Sequence, residues 1–68
     1  MKSRRYLWRG NLLYVALVHG KWAVVHDGRC GEPSVVVNKD VRPEASRELA
    51  QKRLEGWALK EGLEEWKP

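Results

Sequence analysis

The side chains with chemical reach in this 68-residue chain are one cysteine, two histidines and a concentration of cations and indoles. Cys30 lies in a glycine-rich loop, close in sequence to His26 and Asp27. A thiol nucleophile needs a base within hydrogen-bond reach, and the base needs an orienting group. Here the pattern reads as a loop cysteine beside hairpin histidines with no shared function. There are no paired carboxylates of buried type and no glycine-rich phosphate loop, so no catalytic residue is expected and the chain reads as a non-enzyme. Cys30, His19 and His26 show no ligand spacing, which predicts neither metal nor cofactor. The histidines read as polar sheet side chains that meet solvent or phosphate, and a phosphate contact would strengthen in acid.

Binding chemistry is better represented. Lys2, Arg4, Arg5 and Arg9 are interleaved with Tyr6 and Trp8. Cations of this kind neutralise phosphates, and aromatics between them stack or wedge. The same pattern describes an edge strand whose charges block aggregation. The net charge is +4, and residues 1–42 carry eight Lys or Arg against three Asp or Glu, whereas residues 43–68 carry five against six. Positive potential therefore belongs to the first half, as suits a polyanion. Ordinary solubilising charge gives the same balance. Of the four tryptophans, Trp8, Trp22 and Trp57 read as core, and Trp66 as either folded back or offered to a partner.

These groups must be positioned by a small scaffold. The length allows one domain, 1–68, with one modest core. A single cysteine excludes an internal disulfide, so oligomerisation or a partner is the expected supplement. No apolar run reaches the roughly 20 residues that span a bilayer. A soluble, cytoplasmic protein with no membrane partner and no small-molecule substrate is expected.

Two apolar runs, Leu12–Val18 and Trp22–His26, surround Gly20-Lys21, which reads as a type II′ hairpin turn. That register sets His19 opposite Trp22, Leu17 opposite Val24 and Val15 opposite His26. One face then holds Leu13, Val15, Leu17, His19, Trp22, Val24 and His26. The other holds Leu12, Tyr14, Ala16, Val18, Ala23 and Val25. Neither alternates to polar, so both should be covered. Residues 1–9 read as a basic arm or short edge strand ended by Gly10-Asn11, and Ser34–Asn38 as a further strand. The sheet over 12–38 thus has three or four antiparallel strands.

A C-terminal helix is expected over 41–62, with Asp40 as cap and Pro43 and Glu44 in the first turn, followed by a tail over 63–68. Glu48 and Lys52 are spaced for an i, i+4 pair. Ala50, Leu54, Trp57 and Ala58 form one apolar stripe for the sheet. Leu59, Leu63 and Trp66, with Leu49, lie on another side and are candidates for a protein interface, or mark a bend or stop near Gly56. A closing strand near 57–61 is the alternative, since Trp57–Gly62 echoes Trp22–Gly28, but the good helix formers there favour helix. The fold class is α+β, with one helix packed on one face of the sheet.

The segment Gly20-Lys21-Trp22-Ala23-Val24-Val25-His26-Asp27-Gly28-Arg29, then Val35–Val37 and Glu44–Leu59, resembles the arm-type DNA-binding domain of tyrosine-recombinase integrases. The resemblance implies a three-stranded sheet that enters the major groove with a helix behind it. It also implies Lys21, Arg29 and Arg9 as DNA contacts, with the leading arm tracking phosphates.

Two functions follow. One is a small module of phage or mobile-element type that binds nucleic acid, as duplex DNA, through Lys2, Arg4, Arg5, Arg9, Lys21 and Arg29. The other is a protein-interaction or homodimerisation module that uses an apolar sheet face or the Leu59, Leu63 and Trp66 stripe.

Overall fold

A computed structural model of the chain describes residues 4–27 and 33–67. The elements run β1 (Arg5–Trp8), β2 (Asn11–Val18), β3 (Lys21–Asp27), β4 (Ser34–Val35), α1 (Arg47–Glu61) and β5 (Glu64–Trp66). The sheet is five-stranded, in the order β4-β3-β2-β1-β5. Every pairing is antiparallel. The class is α+β as expected, with one helix on one face, but the sheet has one strand more than the larger expectation.

Two hairpins of the same design build its centre. The Trp8–Asn11 and Val18–Lys21 pairs each leave two loop residues, Arg9-Gly10 and His19-Gly20. All four have positive φ, at 51°, 78°, 50° and 79° in chain order. Positive φ at both central residues marks the type I′ turn, whose twist matches the strands it joins. The expected II′ turn at Gly20-Lys21 is thus displaced by one residue, and Leu17 faces Trp22 while Val15 faces Val24. The shift removes a Val15–His26 pair and sets aliphatic against aliphatic at mid-strand. A one-residue move of the turn slides the partner by two residues, so each side chain keeps its expected face.

The helix begins later than expected. Ser46, not Asp40, is the N-cap, and its Oγ accepts hydrogen bonds from the Glu48 and Leu49 amides at 3.2 and 3.5 Å. Residues 41–46 instead form an extended strap. The Glu44 backbone exchanges two 2.8 Å hydrogen bonds with Trp22, and Val41 is fully buried. Those long-range bonds outweigh the local helix signal of Pro43 and Glu44.

Helix α1 runs through Gly56 to Glu61 and ends in a Schellman turn. The Gly62 amide donates to the Leu59 carbonyl at 3.4 Å, and the Leu63 amide to the Ala58 carbonyl at 2.8 Å. Gly62 has φ 68°, which a residue with a Cβ adopts only at a cost. The turn reverses the chain, and Glu64–Trp66 then pairs with β1. The expected tail is therefore a strand, and β1 lies between two neighbours; it is neither an edge nor a free arm.

The core lies between the sheet and α1. Ala50, Leu54, Trp57 and Ala58 are buried, as the stripe predicts, and Gln51 joins them. Leu54, Trp57 and Ala58 pack with Tyr6, Leu13, Val24, Val36 and Val41, with Trp8, Val15 and Leu63 at the margin. Gln51 Nε2 donates to the Arg4 carbonyl at 3.2 Å and so ties the helix to the start of β1. No helix among the described residues is long and apolar enough to cross a membrane.

Leu54→Ala should remove about 2–5 kcal/mol of stability in urea denaturation, most of what a core this small supplies. Gly62→Ala should cost about 1–2 kcal/mol through φ alone, because no heavy atom lies within 4 Å of the position its Cβ would take. An unchanged midpoint for Gly62→Ala would mean that the reversal into β5 does not depend on the left-handed residue.

Candidate functional site

The register separates the two sheet faces cleanly. Tyr6, Leu13, Val15, Val24 and His26 face α1. The opposite face carries a row of cross-strand partners, in which Trp66 lies beside Arg5, Tyr14 beside Val25, and Val25 beside Val35. A second row holds Glu64, Leu7, Leu12 and Asp27, and beyond Tyr14 lie the pairs Ala16–Ala23 and Val18–Lys21. On β3 this face is closed, with Ala23 and Val25 buried at 1% and 3% exposure, and its accessible part lies around them. Leu7, Leu12, Tyr14, Ala16, Val18 and Trp66 are half-buried, and Val35 is exposed.

The Arg5 guanidinium sits 6.0 Å from the Tyr14 ring centre and 5.7 Å from that of Trp66. A cation over two aromatic faces is held by their quadrupoles and screens the rings from water. The charges of this face balance: Arg5 and Lys21 against Asp27 and Glu64.

Of the described cations expected to act together, Arg5 and Lys21 lie on this face, whereas Arg4 and Arg9 lie elsewhere. Arg4 lies 3.8 Å from Glu65 as an exposed ion pair. Arg9 occupies the first turn with its guanidinium 5.0 Å from the Trp8 ring centre. Lys21 stands at the other end of β2, roughly 24 Å away at strand rise. Lys2 and Arg29 lie outside the described residues, as does Cys30.

The proposed Leu59, Leu63 and Trp66 stripe is also divided. Leu59 is 86% exposed on the helix, Leu63 packs against the core, and Trp66 lies under Arg5 on the open sheet face. The Schellman turn separates the three, because helical spacing stops at Gly62. His19 is an exposed turn residue. His26 meets the edge of Trp8 at 5.7 Å, and its buried Nδ1 has no hydrogen-bond partner. Among the described residues no group of three or more His, Cys, Asp or Glu is placed to hold a metal ion.

A groove of about 480 Å³ lies on the other side of the molecule, between α1 and the turn that carries Lys39 and Asp40. Asn38 shapes one wall: its Oδ1 accepts from the Asp40 and Val41 amides at 2.7 and 3.0 Å, and its own amide donates to the Val41 carbonyl. This tight turn carries Lys39. The helix supplies Leu49, Lys52, Arg53, Gly56 and Trp57, spaced i, i+3, i+4, i+7 and i+8 along one side. Arg53 Nε donates to Glu44 at 3.1 Å, and Lys60 binds Asp40 at 3.3 Å. The expected Glu48–Lys52 ion pair is not formed, and neither Lys39 nor Lys52 has a carboxylate partner among the described residues.

Sequence reasoning missed this groove because it joins residue 39 to residues 52–57 across two elements. One signal was present. Gly56 is a helix-interior glycine, which costs roughly 0.5–1 kcal/mol relative to alanine, and among the described residues nothing beyond its own stretch of helix backbone lies within 4 Å of the place a Cβ would occupy. Packing within the chain does not demand it.

No family model, curated protein or solved structure matches the chain.

The Arg5–Trp66 contact should show as coupling. A double-mutant cycle of Arg5→Ala and Trp66→Ala, followed by urea denaturation, should give about 0.5–1 kcal/mol of interaction. Strict additivity would mean that the stacked geometry contributes nothing to stability.

Proposed function

We propose that this protein is a non-enzymatic interaction module whose working surface is the open sheet face, and that the face pairs with a second copy of the chain. The observation that carries the reading is the sheet face turned away from α1, where Leu7, Leu12, Tyr14, Ala16, Val18 and Trp66 stay half-exposed and Val35 exposed around the buried Ala23 and Val25. Contiguous apolar surface on a small domain marks an interface. The balance of Arg5 and Lys21 against Asp27 and Glu64 favours a partner with the same pattern over a polyanion. A two-fold pairing would bring each cation toward a carboxylate of the other copy.

This balance also bears on the integrase likeness. The face that the likeness would press into a major groove is aliphatic and aromatic, whereas base edges are read by polar groups. Of the cations carried over from that likeness, Lys21 alone among the described residues lies on this face, with Arg9 at the turn.

Light scattering across a concentration series tests the reading. The expected mass rises from 7.9 kDa toward twice that value. Ala16→Lys, which adds a charge at the centre of the open face and leaves the helix-facing core untouched, should hold the chain at monomer mass with little change in thermal midpoint. A wild-type chain that stays monomeric at every concentration would remove self-association as its function.

A further inference from the structure

The groove between the Lys39–Asp40 turn and α1 is independent of the open sheet face and has the opposite character. Lys39, Lys52 and Arg53 converge on it, and the single carboxylate in its lining, Asp40, is engaged by Lys60. Arg53 is steadied by Glu44 through Nε, which leaves the remaining N–H groups of the guanidinium fork. Glu44 balances Arg53, but Lys39 and Lys52 have no carboxylate partner among the described residues, and that positive excess at one concavity favours an anion. Gly56 adds a second observation. It opens the helix backbone to the groove at a position where no described residue outside its own helical turn requires the absence of a side chain.

We propose that this groove binds a phosphate-bearing ligand, with Lys39, Lys52 and Arg53 contacting phosphate oxygens and Gly56 admitting it close to the helix. Lysine acts there as a mobile point charge, and the arginine fork fixes orientation. The phosphate can belong to a small free molecule or to a nucleic-acid strand, since both present the same oxygens. The second source would place the nucleic-acid contact expected of this basic chain on residues other than its N-terminal cations.

The full chain is titrated with inorganic phosphate, with a fluorescent single-stranded oligonucleotide and with polyglutamate, each at two salt concentrations. Binding of the oligonucleotide with a steep salt dependence, or saturable shifts of the Lys39, Lys52 and Gly56 amides with inorganic phosphate, supports the proposal and identifies the source. The double charge reversal of Lys39 and Lys52 to Glu should weaken binding at low salt by about tenfold or more. It should also flatten the log–log salt slope on a single strand by about 0.7 for each phosphate that is no longer neutralised. Gly56→Gln should raise the thermal midpoint, because a mid-helix glycine is replaced by a helix former, and at the same time weaken binding. Opposite signs in the two measurements separate a ligand-driven glycine from a structural one. No binding at low salt, equal affinity in the Lys39 and Lys52 variant, or polyglutamate bound as tightly as the oligonucleotide would overturn it.

Discussion

A single helix can cover only one face of a sheet, and only part of that face. Helix α1, with 15 residues, is roughly 22 Å long and 10–12 Å across with its side chains. Five strands, at about 4.8 Å between neighbours, set the outer strand axes roughly 19 Å apart. The helix packs chiefly over β2 and β3 and leaves the rest of that face to other segments. Val36, just after β4, and Val41 at the start of the strap complete that side beside the helix stripe. Beyond its reach, Leu17 is left 59% exposed on the side that nominally faces the core. The second face is closed only in part: Ala23 and Val25 are buried on it, while Leu7, Leu12, Tyr14 and Trp66 keep partial exposure. Each larger feature follows from this shortage of cover, from the Arg5 side chain laid over Tyr14 and Trp66 to the apolar character of the open side.

The chain meets the shortage with backbone geometry more than with bulk. Type I′ turns return the strand directly, so β1, β2 and β3 form a meander with no loop residues to spare. The Schellman turn performs the same service at the end of α1, and it lets three residues, two of them glutamates, act as a fifth strand. Glu64–Trp66 has no apolar alternation to hold it in a sheet. Its place comes from pairing with β1 and from Leu63, which packs against the core just after the turn.

What is legible in the sequence follows from this division. The stripe of Ala50, Leu54, Trp57 and Ala58 is readable because burial at 3.6-residue spacing depends on one element alone. The two faces of the hairpin are readable because a two-residue slide preserves parity. The turn itself is not, since His19 and Gly20 compete with Gly20 and Lys21, and the choice is settled by which pairs fill mid-strand. The helix start is obscured because Pro43 and Glu44 carry a local helix signal, whereas the backbone of Glu44 is bound to Trp22, which is 22 residues away in the chain. Strand β5 is unreadable for the reason that its stability is not its own. The charge surplus of residues 1–42 is real as a count, but a count along the chain is not a surface. Arg4, Arg5, Arg9 and Lys21 are distributed over both faces and both ends of the sheet.

The two surfaces that remain lie on opposite sides of the molecule, and this placement has a consequence of its own. The open face looks away from α1, and the groove is built on α1 and the Lys39–Asp40 turn. Pairing two copies through their sheets would leave both grooves free and directed outward. A ligand long enough to reach both grooves would then engage the second site intramolecularly, at an effective concentration set by the span between them. Short phosphate ligands gain nothing from such pairing, whereas a strand that reaches both sites gains avidity without any new contact. Self-association and anion binding would then be linked through ligand length, even though no residue belongs to both surfaces.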